Sequence, residues 1–154
     1  MSAVRTRPAT LRAAQPLDAG AVGEIMTDFA RDTKWLPRIH SAAEDIAHAD
    51  AMIARGWVTV AEQDGQIAGF AACAGRDLDA LYVAEQARGQ GVGSALLERL
   101  KATRPALTCW TFQANAPAIA FYQRHGFSTT AQSDGSGNDE GLPDLTLHWQ
   151  REAA

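Results

Sequence analysis

The sequence predicts a mixed α+β fold, in one domain spanning residues 1–154. Three observations carry that prediction. The chain has 154 residues, 46% of them hydrophobic, enough for one core that buries roughly two-thirds of the unfolded surface without disulfides or a structural metal. Asp64-Gly65, set between two runs of strand-forming residues, predicts an antiparallel hairpin. Strand and helix patterns then follow in the order βααβββαβαββ, with no internal repeat and no linker long enough to divide the chain.

Each element has its own local signal. Ala9 to Ala14 reads as a short strand ended by Pro16. Asp18 is placed to cap a helix whose apolar residues Val22, Ile25, Met26 and Phe29 recur at helical spacing. Arg31 to His40, with Trp35 and Pro37, reads as a loop or broken helix. Ser41 and Glu44 then form a capping box for a second helix, with Ile46, Ala49 and Ile53 on one face and Gly56 as its stop. Trp57–Glu62 and Gln66–Ala74 are the arms of the hairpin, and Leu78–Val83 is a third strand. Val92, Leu96, Leu97 and Leu100 mark a helix closed by Pro105. Leu107–Phe112 is β-branched and aromatic enough for a strand. Asn115 caps the last helix, with Pro117 in its first turn and Arg124, His125 and Gly126 at its end. Arg124 and His125 suit the negative end of the helix dipole, a structural role. Phe127–Ala131, a polar loop and Asp144–Gln150 complete the chain.

Composition narrows the function. Lys and Arg number 14 against 18 Asp and Glu, a net charge of −4, which argues against a general nucleic-acid or anionic-membrane binder. No stretch approaches the ~20 apolar residues of a membrane span, and Arg5 and Arg7 are followed by no apolar run of the kind a signal peptide needs. Cys73 and Cys109 stand in apolar runs without metal or redox spacing, so they read as core residues of a protein in a reducing cytoplasm. No metal site is expected. Ser133 to Gly141 looks superficially like a calcium loop, but Asp139 stands where the glycine of such a loop is required and Leu145 where its glutamate is required.

The sharpest feature is Arg88-Gly89-Gln90-Gly91-Val92-Gly93-Ser94, between a strand and an amphipathic helix. Glycines at alternate positions let backbone N–H groups converge on one concavity. The helix adds its unpaired first-turn N–H groups and the positive end of its dipole, making a phosphate or pyrophosphate cradle to which Arg88 adds charge. A dinucleotide fingerprint fails because Ser94 stands where its third glycine is required, and a P-loop fails because no lysine lies between Lys34 and Lys101.

With the second half of the chain the resemblance becomes specific. Arg88-x-x-Gly91-x-Gly93 matches the Q/R-x-x-G-x-G/A signature of the GCN5-related N-acetyltransferase (GNAT) superfamily. Asn115-x-x-Ala118-x-x-Phe121-Tyr122-x-x-x-Gly126-Phe127 matches that family's second motif, and Leu78 to Val83 resembles the strand before its acyl-coenzyme A loop. The resemblance implies a central, mostly antiparallel sheet splayed at that strand, with helices on both faces. It further implies that acetyl-coenzyme A is the acetyl donor to a primary amine by direct attack. Backbone groups of Leu81, Tyr82 and Val83 would pair with the pantetheine arm. Arg88, Gly89, Gln90, Gly91, Val92, Gly93 and Ser94 would hold the pyrophosphate. Asn115, Ala118 and Tyr122, on one helix face, would line the groove, with Tyr122 protonating the leaving thiolate.

Two further roles are open at this point. Asp77 and Asp79 are both candidate bases, on one strand face if alternation holds; Asp77 lies where lysine-acetylating relatives carry a catalytic glutamate. Trp35 and His40, in the loop between the first two helices, and Asp139, in the polar loop, are candidates for the acceptor site. The acceptor can be a small metabolite or a protein Nα or lysine amine, and a non-catalytic acyl-coenzyme A binding module is the competing class. A homodimer is compatible with the sequence.

Overall fold

The computed structural model describes residues 8–152, so the reading of Arg5 and Arg7 lies outside the described residues. In chain order the elements are β1 (Thr10–Ala13), α1 (Ala19–Asp32), α2 (Ala42–Ala54), β2 (Val58–Gln63), β3 (Gln66–Ala74), β4 (Asp77–Val83), α3 (Val92–Thr103), β5 (Ala106–Phe112), α4 (Ala116–Arg124), β6 (Ser128–Ser133) and β7 (Asp144–Gln150). The strands form one seven-stranded sheet in the order β1-β2-β3-β4-β5-β7-β6. Every neighbouring pair is antiparallel except β4 and β5.

Local chemistry explains most boundaries. Asp64 and Gly65 both take positive φ, 53° and 77°, as the hairpin turn between β2 and β3 requires. Ser41 and Glu44 exchange reciprocal hydrogen bonds at the start of α2, at 3.1 and 3.0 Å, and Asn115 accepts from the Ala118 N–H at 3.2 Å to start α4. Asp18 departs from expectation. It stands before α1 but makes no side-chain cap, because its carboxylate is taken by the Arg12 guanidinium at 2.8 and 3.0 Å and by the Gln15 N–H at 2.7 Å. Helix α1 also runs through Asp32, shortening the following loop, and β6 continues to Ser133, with Phe127 tucked into the core ahead of it.

Helices cover both faces. On one, Val22, Ile25, Met52 and Ile53 of α1 and α2 pack on Val58, Val60 and Phe70. On the other, Leu96, Leu97 and Leu100 of α3 and Tyr122 of α4 pack on Ala68, Leu78, Leu107 and Leu147. Small residues in the middle permit the sandwich. A Cβ at Gly69 of β3 would lie 2.9 Å from the Tyr82 carbonyl oxygen and 3.0 Å from Val92. A Cβ at Gly23 would lie 2.7 Å from the Ile46 Cα, so α1 and α2 touch backbone to side chain there.

Strand β4 departs from simple alternation after Asp79. Cys73 pairs with Leu78 but Ala72 pairs with Ala80, which leaves Asp79 as an extra residue in the ladder. Such a bulge re-aims every later side chain. Leu78, Leu81 and Val83 therefore face α3, while Ala80 and Tyr82 face α1 and α2.

Candidate active site

Strands β4 and β5 are held together at only two register pairs, Asp77 with Thr108 and Leu78 with Cys109. Beyond them the strands diverge around a cavity of about 200 Å³. Its β4 wall is Asp79, Ala80, Leu81 and Tyr82; its opposite wall includes Trp110, Phe112, Asn115, Ala118 and Tyr122. The sheet is thus wedged open beside the bulge, and backbone groups of β4 past Leu78 lose β5 as a partner. The geometry suits an extended chain bearing amide groups, laid between the strands.

At the far end of β4 lies the glycine turn. Gly89 and Gly91 take positive φ, 75° and 82°, with open space where a Cβ would stand. These positions require glycine for the backbone. Gly93 differs, since its Cβ position is in ordinary contact with Phe121 at 3.4 Å. Gly91 is the N-cap residue of α3, and the first intrahelical bond runs from Ala95 N–H to the Gly91 carbonyl. The N–H groups of Val92, Gly93 and Ser94 consequently have no helical partner. Arg88 Nε donates to the Val83 carbonyl at 3.4 Å, and Gln90 bridges the Gln86 carbonyl and Gln63 at 3.2 and 3.3 Å, fixing the turn to its surroundings.

Two tyrosines shape the cavity. Tyr122 is 7% exposed, with its ring 5.3 Å from Phe121 and 5.2 Å from Phe127. Burial raises its phenol well above the ordinary tyrosine range, so the hydroxyl keeps its proton. Tyr82, against Phe29 at 5.0 Å and Phe70 at 5.7 Å, is also raised, first by burial and then by Glu140 and Asp45. Asp79, on the cavity wall, is raised by desolvation and then by Asp77, while His48 pulls the other way. Asp77 is exposed at the start of the strand and lines neither this cavity nor the next.

A second, larger cavity of about 550 Å³ adjoins the first through Phe29 and Tyr82. It carries the carboxylates of Glu44, Asp45, Asp139 and Glu140 against Arg38 and two histidines, His40 and His48. His40 and Asp139 thus come together here. Trp35 does not line either cavity; its ring packs edge-on against Phe112 of β5 at 5.7 Å, tying the α1–α2 loop across the wedge. The polar loop after β6 is pinned by Asn138, which donates to the Leu142 carbonyl at 2.8 Å and to Asp144 at 3.1 Å.

Several cavity residues escaped the sequence reading, among them Phe29, Asp45, His48, Trp110, Thr111 and Asn138. Phe29 sits on a helix face whose spacing marks it as apolar but not what it meets, and His48 is an exposed residue of α2 that no local pattern singles out. Both cysteines are buried and free. Burial raises Cys73 and pushes Cys109 up to about 12, so both remain thiols. Among the described residues no group of three or more His, Cys, Asp or Glu could hold a metal ion, and no helix is long and apolar enough to cross a membrane.

Comparison with known proteins agrees with this architecture. Residues 54–129 match the family described as acetyltransferase (GNAT) domain. Over 91 residues, 59% of this chain, the sequence is 35% identical to a peptidyl-lysine N-acetyltransferase, YjaB, of Salmonella typhimurium. Over 104 residues, 68% of this chain, it is 35% identical to the Escherichia coli K12 protein of the same name. The chain spans 62% of the length of the first and 70% of the second. Among solved structures, yncA of Salmonella typhimurium, a putative acetyltransferase with its cofactor acetyl-CoA, superposes with a TM-score of 0.73 at 25% identity, over 96% of this chain and 97% of that one. The chain belongs to the GNAT family of acetyltransferases.

Proposed function

We propose that residues 1–154 act as one catalytic domain, an acetyl-coenzyme A-dependent N-acetyltransferase whose acceptor is the side-chain amine of a peptidyl lysine. The observation that carries this reading is the wedge between β4 and β5, with Tyr122 on one wall and Asp79 on the other. The residues present suit the coenzyme. The unpaired stretch of β4 offers backbone hydrogen bonds to an amide-bearing arm, and the glycine turn offers converging N–H groups to phosphate.

Acetyl-coenzyme A supplies an activated acetyl group as a thioester; the chain supplies position and proton control. Backbone groups of Leu81 to Val83 align the arm, and one N–H polarises the thioester carbonyl, a contact of the kind whose loss costs about 100-fold or more. Arg88 to Ser94 hold the pyrophosphate. Tyr122 keeps a proton at Oη for the departing sulfur. Asp79, made more basic by its surroundings, takes the proton of the incoming ammonium through water. Four carboxylates in the adjoining cavity favour a cationic acceptor, and the names of the two relatives support lysine in a peptide.

The test is direct. Coenzyme A titrated calorimetrically should bind in the micromolar range, and a lysine-containing peptide should release thiol from acetyl-coenzyme A. Absence of binding, or undiminished binding in Gly91→Glu, would refute the cradle. Turnover with small amines but none with lysine peptides would move the acceptor to another class.

A further inference from the structure

His125 at the end of α4 makes contacts that helix-dipole compensation does not require. Its Nε2 lies 3.0 Å from Ser94 Oγ, and its Nδ1 lies 3.3 Å from Glu98 Oε1. Ser94 belongs to the first turn of α3, whose N–H groups open onto the glycine turn. A chain of three side chains therefore runs from Glu98, through an imidazole, to a hydroxyl at the phosphate cradle. Lys101 closes the network, donating to the His125 carbonyl and lying 3.7 Å from Glu98. The charged groups about the ring are Glu98 and Lys101 of α3, with exposed Arg124 beside it on its own helix. The ring is otherwise faced by Phe121 at 4.7 Å.

With Glu98 facing Nδ1, hydrogen-bond bookkeeping favours two of the three protonation states of this network. A neutral imidazole that donates from Nδ1 to Glu98 has a bare Nε2, so Ser94 must give its single proton to the ring. The hydroxyl then shows only lone pairs to the cradle and opposes an anion. An imidazolium donates from both nitrogens, so Ser94 Oγ accepts from Nε2 and its own proton is free to donate outward. The other neutral tautomer, with its proton on Nε2, would turn a bare Nδ1 toward the Glu98 carboxylate at 3.3 Å, so while Glu98 accepts from Nδ1 a phosphate oxygen is satisfied only by the imidazolium.

We propose that His125 is a positioning residue that sets Ser94 as a phosphate donor, so that binding of the coenzyme's phosphates is coupled to proton uptake at His125. The proposal rests on the cradle assignment made above. The only step is a proton transfer: an N–H bond forms at Nε2, the solvent or buffer acid gives up that proton, and Glu98 carries the opposing charge.

The experiment is calorimetric titration of coenzyme A in buffers of different ionisation enthalpy, which counts protons taken up, with affinity measured from about pH 5 to 8, where imidazoles change charge. The coenzyme's own phosphomonoester titrates near pH ~6, so the readout is the difference between wild type and variant. Wild type should take up more protons than His125→Gln, whose amide can donate to Ser94 permanently. Its affinity should gain roughly tenfold more on acidification than the variant's, the size of one hydrogen bond to a charged group. Ser94→Ala should lose the same pH-linked gain while keeping His125. Equal proton uptake in wild type and His125→Gln, or an unaltered pH slope in Ser94→Ala, would overturn the proposal. Failure of wild type to bind coenzyme A at any pH would instead overturn the cradle assignment beneath it.

Discussion

Tyr122→Phe removes one oxygen and leaves the ring. The contacts that hold the side chain, with Phe121 at 5.3 Å and Phe127 at 5.2 Å, are contacts of the ring, so packing survives the change. Truncation to alanine would cost about 3–5 kcal/mol of stability and confuse unfolding with lost chemistry; phenylalanine should stay within about 1 kcal/mol of wild type. The hydroxyl's work as a general acid is worth about 100-fold or more in rate, which is roughly 2.7 kcal/mol of barrier. Thiol release measured at saturating lysine peptide and acetyl-coenzyme A should therefore show kcat reduced about 100-fold, with coenzyme affinity within about threefold of wild type. A thioester with a more acidic thiol needs less help in leaving, so the defect should shrink with such a donor. Unchanged kcat would refute the acid role, and an equal loss with both donors would show that the hydroxyl serves something other than proton delivery.

Other expectations concern the base and the packing of the helices. Desolvation and Asp77 raise Asp79 above its ordinary range, so the folded state disfavours the ionised form. That penalty is absent below the unfolded value of about 4, grows as pH rises from there to the folded value and is complete above it. Asp79→Asn should thus match or exceed the wild-type Tm at neutral pH, lose that advantage in acid, and show a clear drop in kcat; a lower Tm with full turnover would contradict both parts. Gly23→Ala sets two effects against each other. Alanine gains about 1 kcal/mol of helix propensity, but its Cβ would lie 2.7 Å from the Ile46 backbone, an overlap of the kind that costs about 1–3 kcal/mol. Net destabilisation is expected, read as a fall of about 2–4 °C in Tm per kcal/mol; a rise would show that the helices separate freely.

The parts legible in the sequence are those fixed by neighbours in the chain. The Asp64-Gly65 turn, the Ser41–Glu44 box and the Asn115 cap depend on residues a few positions apart, and all appear as expected. Ala118 and Tyr122 join Asn115 at the cavity because helical spacing puts them on one face. Asp18 shows where such reading stops: its cap is lost to Arg12, whose guanidinium is also held by the side chain of Glu62 on the neighbouring strand. The bulge at Asp79 is equally silent, since one extra residue in a ladder is decided by what the later side chains must face. His48 and Phe29 reach the cavities only when α1 and α2 settle on the sheet, and no local pattern records that docking.

The junction of β4 and β5 has a mechanical consequence. With two register pairs as its spine, the sheet behaves as two leaves, β1 to β4 and β5 to β7, bound at one edge and open at the other. Whatever hydrogen-bonds into the opening braces both leaves at once, so binding energy also becomes resistance to local opening. Amides of β4 beyond Leu78 that point away from β3 should exchange with solvent quickly in the free protein and slowly once a ligand lies between the leaves.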